Sequence, residues 1–137
     1  TGFSKVTTVP GPDYCIAMLL LQKRHEDANG NITAQRVGTV VVKYGKSTGG
    51  WVEDATYEIH YGNITGKSFY NAATMGLRSH DYARNSKGKS VLVKETGWAP
   101  ADATPTHIVL QFSSSHGGAY VGTVGNTFWV DNVGLVY

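Results

Sequence analysis

DYCIAMLLLQKRHEDANGNITAQRVGTVVVKY, residues 13–44, reads as two strands folded back on each other. Residues 13–23 form a long apolar run, and the polar stretch 24–31 that ends it contains Asn29-Gly30, a pair that readily takes the positive-φ conformations of a tight turn. The return segment, residues 32–44, closes on GTVVVKY, rich in β-branched side chains that suit a pleated surface. GKSTGG at 45–50 supplies the next turn.

Strand signals continue along the chain. Within residues 51–61, Trp51, Ala55, Tyr57, Ile59 and Tyr61 fall on one face and Asp54, Thr56, Glu58 and His60 on the other. The aromatic stripe Trp51, Tyr57 and Tyr61 is therefore assigned to the core. Residues 106–113 repeat the pattern, with Ile108, Leu110 and Phe112 against His107, Val109 and Gln111, as a half-buried antiparallel strand would. NTFWVDNVGLVY at 126–137 closes the chain as a strand, bent or bulged near 132–134 where alternation fails. Between 62 and 104 the signal weakens to a short strand at 89–94 and a helical turn within 71–85. A connection of that length is either partly structured or a functional insertion. The spans predict an all-β fold, an antiparallel β-sandwich, in one domain over 1–137 with a long loop or insertion at about 62–104.

Composition agrees with this. The chain has 137 residues, 41% hydrophobic and only 16% charged, with 17 Gly to serve turns, which suits many short strands better than a helical bundle or a disordered chain. The net charge is +2 and the Lys and Arg residues are scattered, so the sequence carries no basic stripe for nucleic acid. The longest strongly apolar run, residues 15–21, falls far short of the ~20 residues of a membrane helix, so no membrane insertion by this chain is expected. Cys15 stands alone in that run and reads as a buried, inert thiol.

SSSHGGAYVGTVGNTFWVDNVGLVY, residues 113–137, has a Ser-Ser pair, a Gly-rich loop and a closing strand of the form Val-Asp-(Asp or Asn)-apolar-x-Leu-x-Tyr. In this pattern Ser114, Ser115, Gly118, Gly122, Gly125, Val130, Asp131, Asn132, Val133, Leu135 and Tyr137 resemble the end of the carbohydrate-metabolism domain family (PCMD) of Bacteroidetes surface and periplasmic proteins. The strands opening at Pro12-Asp13 and running over 51–61 follow the order that family shows. The resemblance implies a jelly-roll sandwich of galactose-binding or lectin-like type, an extracytoplasmic bacterial location and a role in glycan utilisation. Family members usually carry further strands before the first one here, which leaves room for this chain to be the C-terminal portion of a longer protein whose additional domains are its partners.

Binding a sugar needs an aromatic plate for the apolar face of the ring and polar groups that hydrogen-bond hydroxyls in pairs. Tyr70, Arg78, His80, Asp81 and Tyr82 lie close together, interleaved with Asn71, Arg84 and Asn85, and Trp98 lies beyond. The competing reading is a solvated loop pinned down by its own aromatics. His116 and Tyr120, displayed among the glycines of HGGAYVGTVG at 116–125, form a second candidate set, set against a plain flexible hairpin end. Asp131 sits among Val130, Val133 and Leu135, so if buried it must be hydrogen-bonded or metal-bound. The resemblance points to a structural Ca²⁺ with its six to eight oxygen ligands; backbone capping is the alternative.

Glycoside hydrolysis requires two carboxylates facing one cleft, about 5 to 5.5 Å apart for retention or 6.5 to 9.5 Å for inversion. Asp54 and Glu58 share a strand face but stand roughly 13 Å apart at about 3.3 Å per residue, and only folding could gather Asp81, Glu95 and Asp102. The chain is therefore read as a non-catalytic module whose partner is an oligo- or polysaccharide and which requires no cofactor. A glycoside hydrolase domain, or a structural domain that pairs through an exposed strand edge, stands as the alternative.

Overall fold

A computed structural model describes residues 12–118 and 121–136. The fold is all-β apart from one short helix. Its elements are β1 (Cys15–Glu26), β2 (Ile32–Tyr44), β3 (His60–Tyr61), α1 (Ala72–Met75), β4 (Asp81–Arg84), β5 (Ser90–Trp98) and β6 (His107–Ser113). They form one sheet in the order β4-β5-β2-β1-β6, with β3 also paired to β2.

The expected hairpin is present. Asp27 accepts from the Gly30 N–H and donates its own N–H to the Asn31 carbonyl, while Gly30 takes φ +81°, so the turn closes with its glycine in the left-handed region. The Asp27 carboxylate locks the turn by accepting from the backbone N–H groups of Asn29 and Asn31.

The sheet is mixed rather than purely antiparallel. β4 pairs with β5 antiparallel, matching Tyr82 to Leu92 and Arg84 to Ser90. β5 lies parallel to β2, with Ile32 opposite Val93 and Thr33 opposite Lys94, and the register slips between Ala34 and Gln35. The connection over residues 45–89 is long enough to return the chain beside β2 in the same direction, as a parallel pair demands. Much of the 62–104 stretch is thus structured: it holds α1, β4 and all of β5, and Ser90–Trp98 extends the short strand expected at 89–94.

Two other expectations fail. Of residues 51–61 only His60–Tyr61 is strand; Asp54 adopts φ +53°, which no extended run can contain, and Trp51 is 66% exposed, with Tyr57 and Tyr61 also exposed. The aromatic stripe is not core. The described part of 126–137 likewise forms no strand, because Asn132 turns left-handed at φ +52° and Trp129, Val133 and Val136 face solvent. In β6 the alternation is right but the side is reversed: Ile108, Leu110 and Phe112 are exposed, and Val109 and Gln111 are half-buried.

The chain divides into two compact units. Met18–Val41 with Thr56–Leu110 holds two apolar clusters. Leu21, Val37 and Ala99 pack with Leu19, Ile59 and Ala103, and Ile32, Ala34 and Val93 pack with Ala83 and Val91. The other unit comprises Thr1–Ala17, Val42–Ala55 and Gln111–Tyr137. In it Phe128 packs against Tyr44 and Phe112, at ring separations of 5.4 and 6.1 Å.

Candidate functional site

The face of the β4-β5-β2 ribbon that carries Ile32, Val93, Ala83 and Val91 is filled from above by polar side chains tied to one another. Arg36 is fully buried, and all five of its guanidinium N–H groups are used. Nε and Nη2 fork onto Glu95 at 2.6 and 2.5 Å, Nη1 donates to the Thr39 hydroxyl and the Met75 carbonyl, and Nη2 also donates to the Gly76 carbonyl. Glu95 accepts a further bond from the Arg78 N–H. Trp98 covers the guanidinium at 5.4 Å, and Tyr70 meets Trp98 edge-on. Arg78 in turn forks onto Asp81 at 2.8 and 2.6 Å.

This separates the sugar-binding set read from the sequence. Tyr70, Arg78, Asp81 and Trp98 are engaged in this buried network. Asn71 caps α1 by accepting from the Ala73 N–H, and the buried Asn85 bonds Gly30, Lys87 and Lys89. Arg84 donates to the Gly88 carbonyl. His80 and Tyr82 stand out in solvent, as do Asn71 and Arg84, and Tyr82 is 71% exposed on β4. Asp81 and Glu95, two of the three carboxylates that only folding could gather for catalysis, are each held in an arginine fork.

The opposite face of the same strands is open. Alternation and register put Tyr82 and Arg84 of β4, Leu92 and Lys94 of β5, and Thr33 of β2 on one side. Lys23, His25, Thr33, Gln35 and Thr96 border an open cleft of about 280 Å³, at the lower end of the range for small-ligand pockets. Four strands at about 4.8 Å spacing make this platform roughly 14 Å wide. Sequence reasoning passed over Lys23, His25, Thr33, Gln35, Lys94 and Thr96. Their interleaved neighbours Arg24, Arg36 and Glu95 are polar too, so no alternation marked the set in the sequence, nor that three strands would bring it onto one surface.

In the other unit, Asp13 gathers the loop that follows β6. Its carboxylate accepts from the Ser115 hydroxyl and His116 Nδ1, both at 2.7 Å, and from the Tyr14 N–H and the Asn126 amide. Desolvation pushes the carboxyl up, but hydrogen bonds from Ser115, Thr123 and the backbone of His116 and Tyr14 outweigh it and hold the group well below the usual carboxylate range. His116 stacks on Tyr14 at 3.9 Å, and Lys43 Nζ lies 5.0 Å from the same Tyr14 ring. Ser115 and His116 both bond the aspartate and not each other, so this is no relay from carboxylate through imidazole to a nucleophile. Burial, with the Asp13 charge, raises the half-buried Cys15 thiol, whose sulfur donates to the Ser114 carbonyl, as an inert thiol should.

The depressed Asp13 fixes the sign of an acid effect. Its contribution is fully present above about pH 4, the range of a free carboxylate, and is lost as pH falls through the lower folded value. Urea unfolding between pH 3 and 7 is expected to give a steeper acid loss of stability for the native chain than for Asp13→Asn. Equal slopes would mean that the cluster does not hold Asp13 ionised.

Tyr120 lies outside the described residues. Asp131 is exposed, and its Oδ1 accepts from the Asn132 N–H. Among the described residues no three or more His, Cys, Asp or Glu side chains converge as a metal site would require, and no helix is long and apolar enough to cross a membrane. Comparisons with protein-family models, with curated proteins and with solved structures found no match.

Proposed function

We propose that this chain is a non-catalytic glycan-binding module of a bacterial surface or periplasmic glycan-utilisation protein, a jelly-roll β-sandwich related to the PCMD family. The observation that carries the reading is the exposed Tyr82 ring on β4, on the same open sheet face as Leu92 and Lys94 of β5 and Thr33 of β2. A ring carried on a strand has its backbone fixed before binding, and the hydroxyl and amide groups of Thr33 and Gln35 further across the face are of the kind that sugar hydroxyls require. Each strand anchors its side chains from below, so the platform is formed before a ligand arrives. Calcium has no part in this reading.

Tyr82→Ala tests it. Losing the area a ring would bury against sugar is worth about 1.5–3 kcal/mol, roughly ten- to a hundredfold in affinity. Glycan-array signal and titration calorimetry are expected to fall by that factor while the circular dichroism spectrum stays unchanged, because an exposed side chain contributes little to folding. Unchanged glycan affinity in the variant would remove Tyr82 from the site. Absence of binding to any glycan by the folded native chain would end the reading.

One feature favours a second role, that of an assembly domain. β6 ends the strand order and exposes Ile108 and Leu110, as a strand awaiting a neighbour does. Dimerisation abolished by Leu110→Lys, seen in sedimentation, would support that role, and a monomer at all concentrations with no strand-adding partner would oppose it.

A further inference from the structure

We infer that the glycan taken by the open sheet face is an anionic polysaccharide, one bearing uronate carboxylates or sulfate esters; this rests on the glycan-binding reading above. The argument is the separation of charge between the two sides of the sheet. Glu95 and Asp81 belong to the buried side and are forked onto Arg36 and Arg78. Glu26 turns to the Ser86 N–H and hydroxyl, and Asp27 is occupied in closing its own turn. Glu58 and Asp102 are exposed beside Ile59 and Ala103, which cover Leu21 and Val37 at the far end of the open side.

The open side keeps the cations. Lys23 and Lys94 are exposed there with Arg84, and none of the three is in an ion pair among the described residues. Lys23 and Thr33 border the same cleft, and Thr33 lies opposite Lys94 in the β2–β5 register, so the two ammonium groups flank the hydroxyl and amide groups that a sugar would use. Arg84 shares a side of β4 with Tyr82 two residues earlier, and its Nη1 donates to the Gly88 carbonyl in the β4–β5 turn. The net charge of the whole chain is only +2, so three exposed cations outside any ion pair among the described residues, on the face that carries Tyr82, are a local concentration of charge rather than a general one. Carboxylates or sulfates spaced along a chain would meet these cations in turn, with charge-assisted bonds stronger than those the same groups make to a neutral sugar's hydroxyls.

The test measures affinity for polygalacturonate, dextran sulfate, unmodified dextran and single-stranded DNA, with native protein and with Lys23→Glu/Lys94→Glu. Binding to one or both acidic glycans, weakened by added salt and reduced about tenfold or more by the double reversal, with dextran bound weakly, would support the inference. The polymer preferred separates carboxylate from sulfate recognition. Lys23→Gln/Lys94→Gln, with an intermediate loss, guards against a misfolded reversal. Dextran bound as tightly as the acidic polymers, or reversals without effect, would overturn the inference while leaving glycan binding in place. DNA bound as well as acidic glycan would overturn it as mere charge attraction. If no glycan binds, both fall together.

Discussion

Glu95→Ala is expected to destabilise the fold by about 3–5 kcal/mol, the cost of removing one partner from a buried ion pair. The size follows from what would be left. The Arg36 side chain has no exposure, so without Glu95 a full positive charge would remain away from water with only the Thr39 hydroxyl and the Met75 and Gly76 carbonyls to hold it. The Arg78 N–H would lose its acceptor in the same step, releasing the segment that leads into β4. Replacing both partners, as Arg36→Met with Glu95→Leu, is expected to recover most of the loss, because the desolvated charges leave together. Urea midpoints of the two variants against the native chain measure both effects. A single variant within about 1 kcal/mol of native would mean that water reaches Arg36.

That network also marks where sequence reading stops. The strand of residues 32–44 was legible to the residue because its branched side chains and the Asn29-Gly30 turn agree with each other. β6 was legible as a strand within one residue, but not which way it faces, since period 2 looks the same from either side. Residues 51–61 carried the same period, yet the left-handed Asp54 breaks them, and nothing in the alternation of Trp51, Tyr57 and Tyr61 distinguishes a core stripe from an exposed one. β4 was missed because a four-residue strand holding Asp, Tyr, Ala and Arg has the composition of a polar loop.

For the candidate site the outcome is mixed for a related reason. Tyr70, Arg78, Asp81 and Trp98 are a plausible sugar set as residue types, and the same chemistry serves a buried network equally well. Charged and aromatic groups that converge on a ligand and those that converge on Arg36 are alike in composition, and only burial separates them. Lys23, Thr33 and Lys94 lie on three different strands, and their proximity is a property of the parallel β2–β5 register, which no local pattern in the chain announces.

Gly30→Ala is expected to cost about 2–4 kcal/mol, from two sources that can be separated. The first is conformational: at φ +81° a Cβ meets the following carbonyl, worth about 1–2 kcal/mol. The second is contact. A Cβ on Gly30 would lie 2.5 Å from the Asn85 side-chain nitrogen, inside any tolerable separation. Asn85 has little room to give way, because its amide donates to the Gly30 carbonyl while its oxygen accepts from the N–H groups of Lys87 and Lys89. Moving it would loosen the turn that joins β4 to β5 and tilt the strand that carries Tyr82. Gly49 offers the control: it has a similar φ of +72° and nothing within 4 Å of where its Cβ would be. Gly49→Ala should therefore show the conformational cost alone, and the difference between the two urea midpoints is the contact with Asn85. If the two variants were equally destabilised, the close approach of the hairpin turn to the β4–β5 turn would be wrong. If Gly30→Ala also weakened glycan binding and Gly49→Ala did not, the strand geometry under Tyr82 would be tied to the recognition that the open face is proposed to perform.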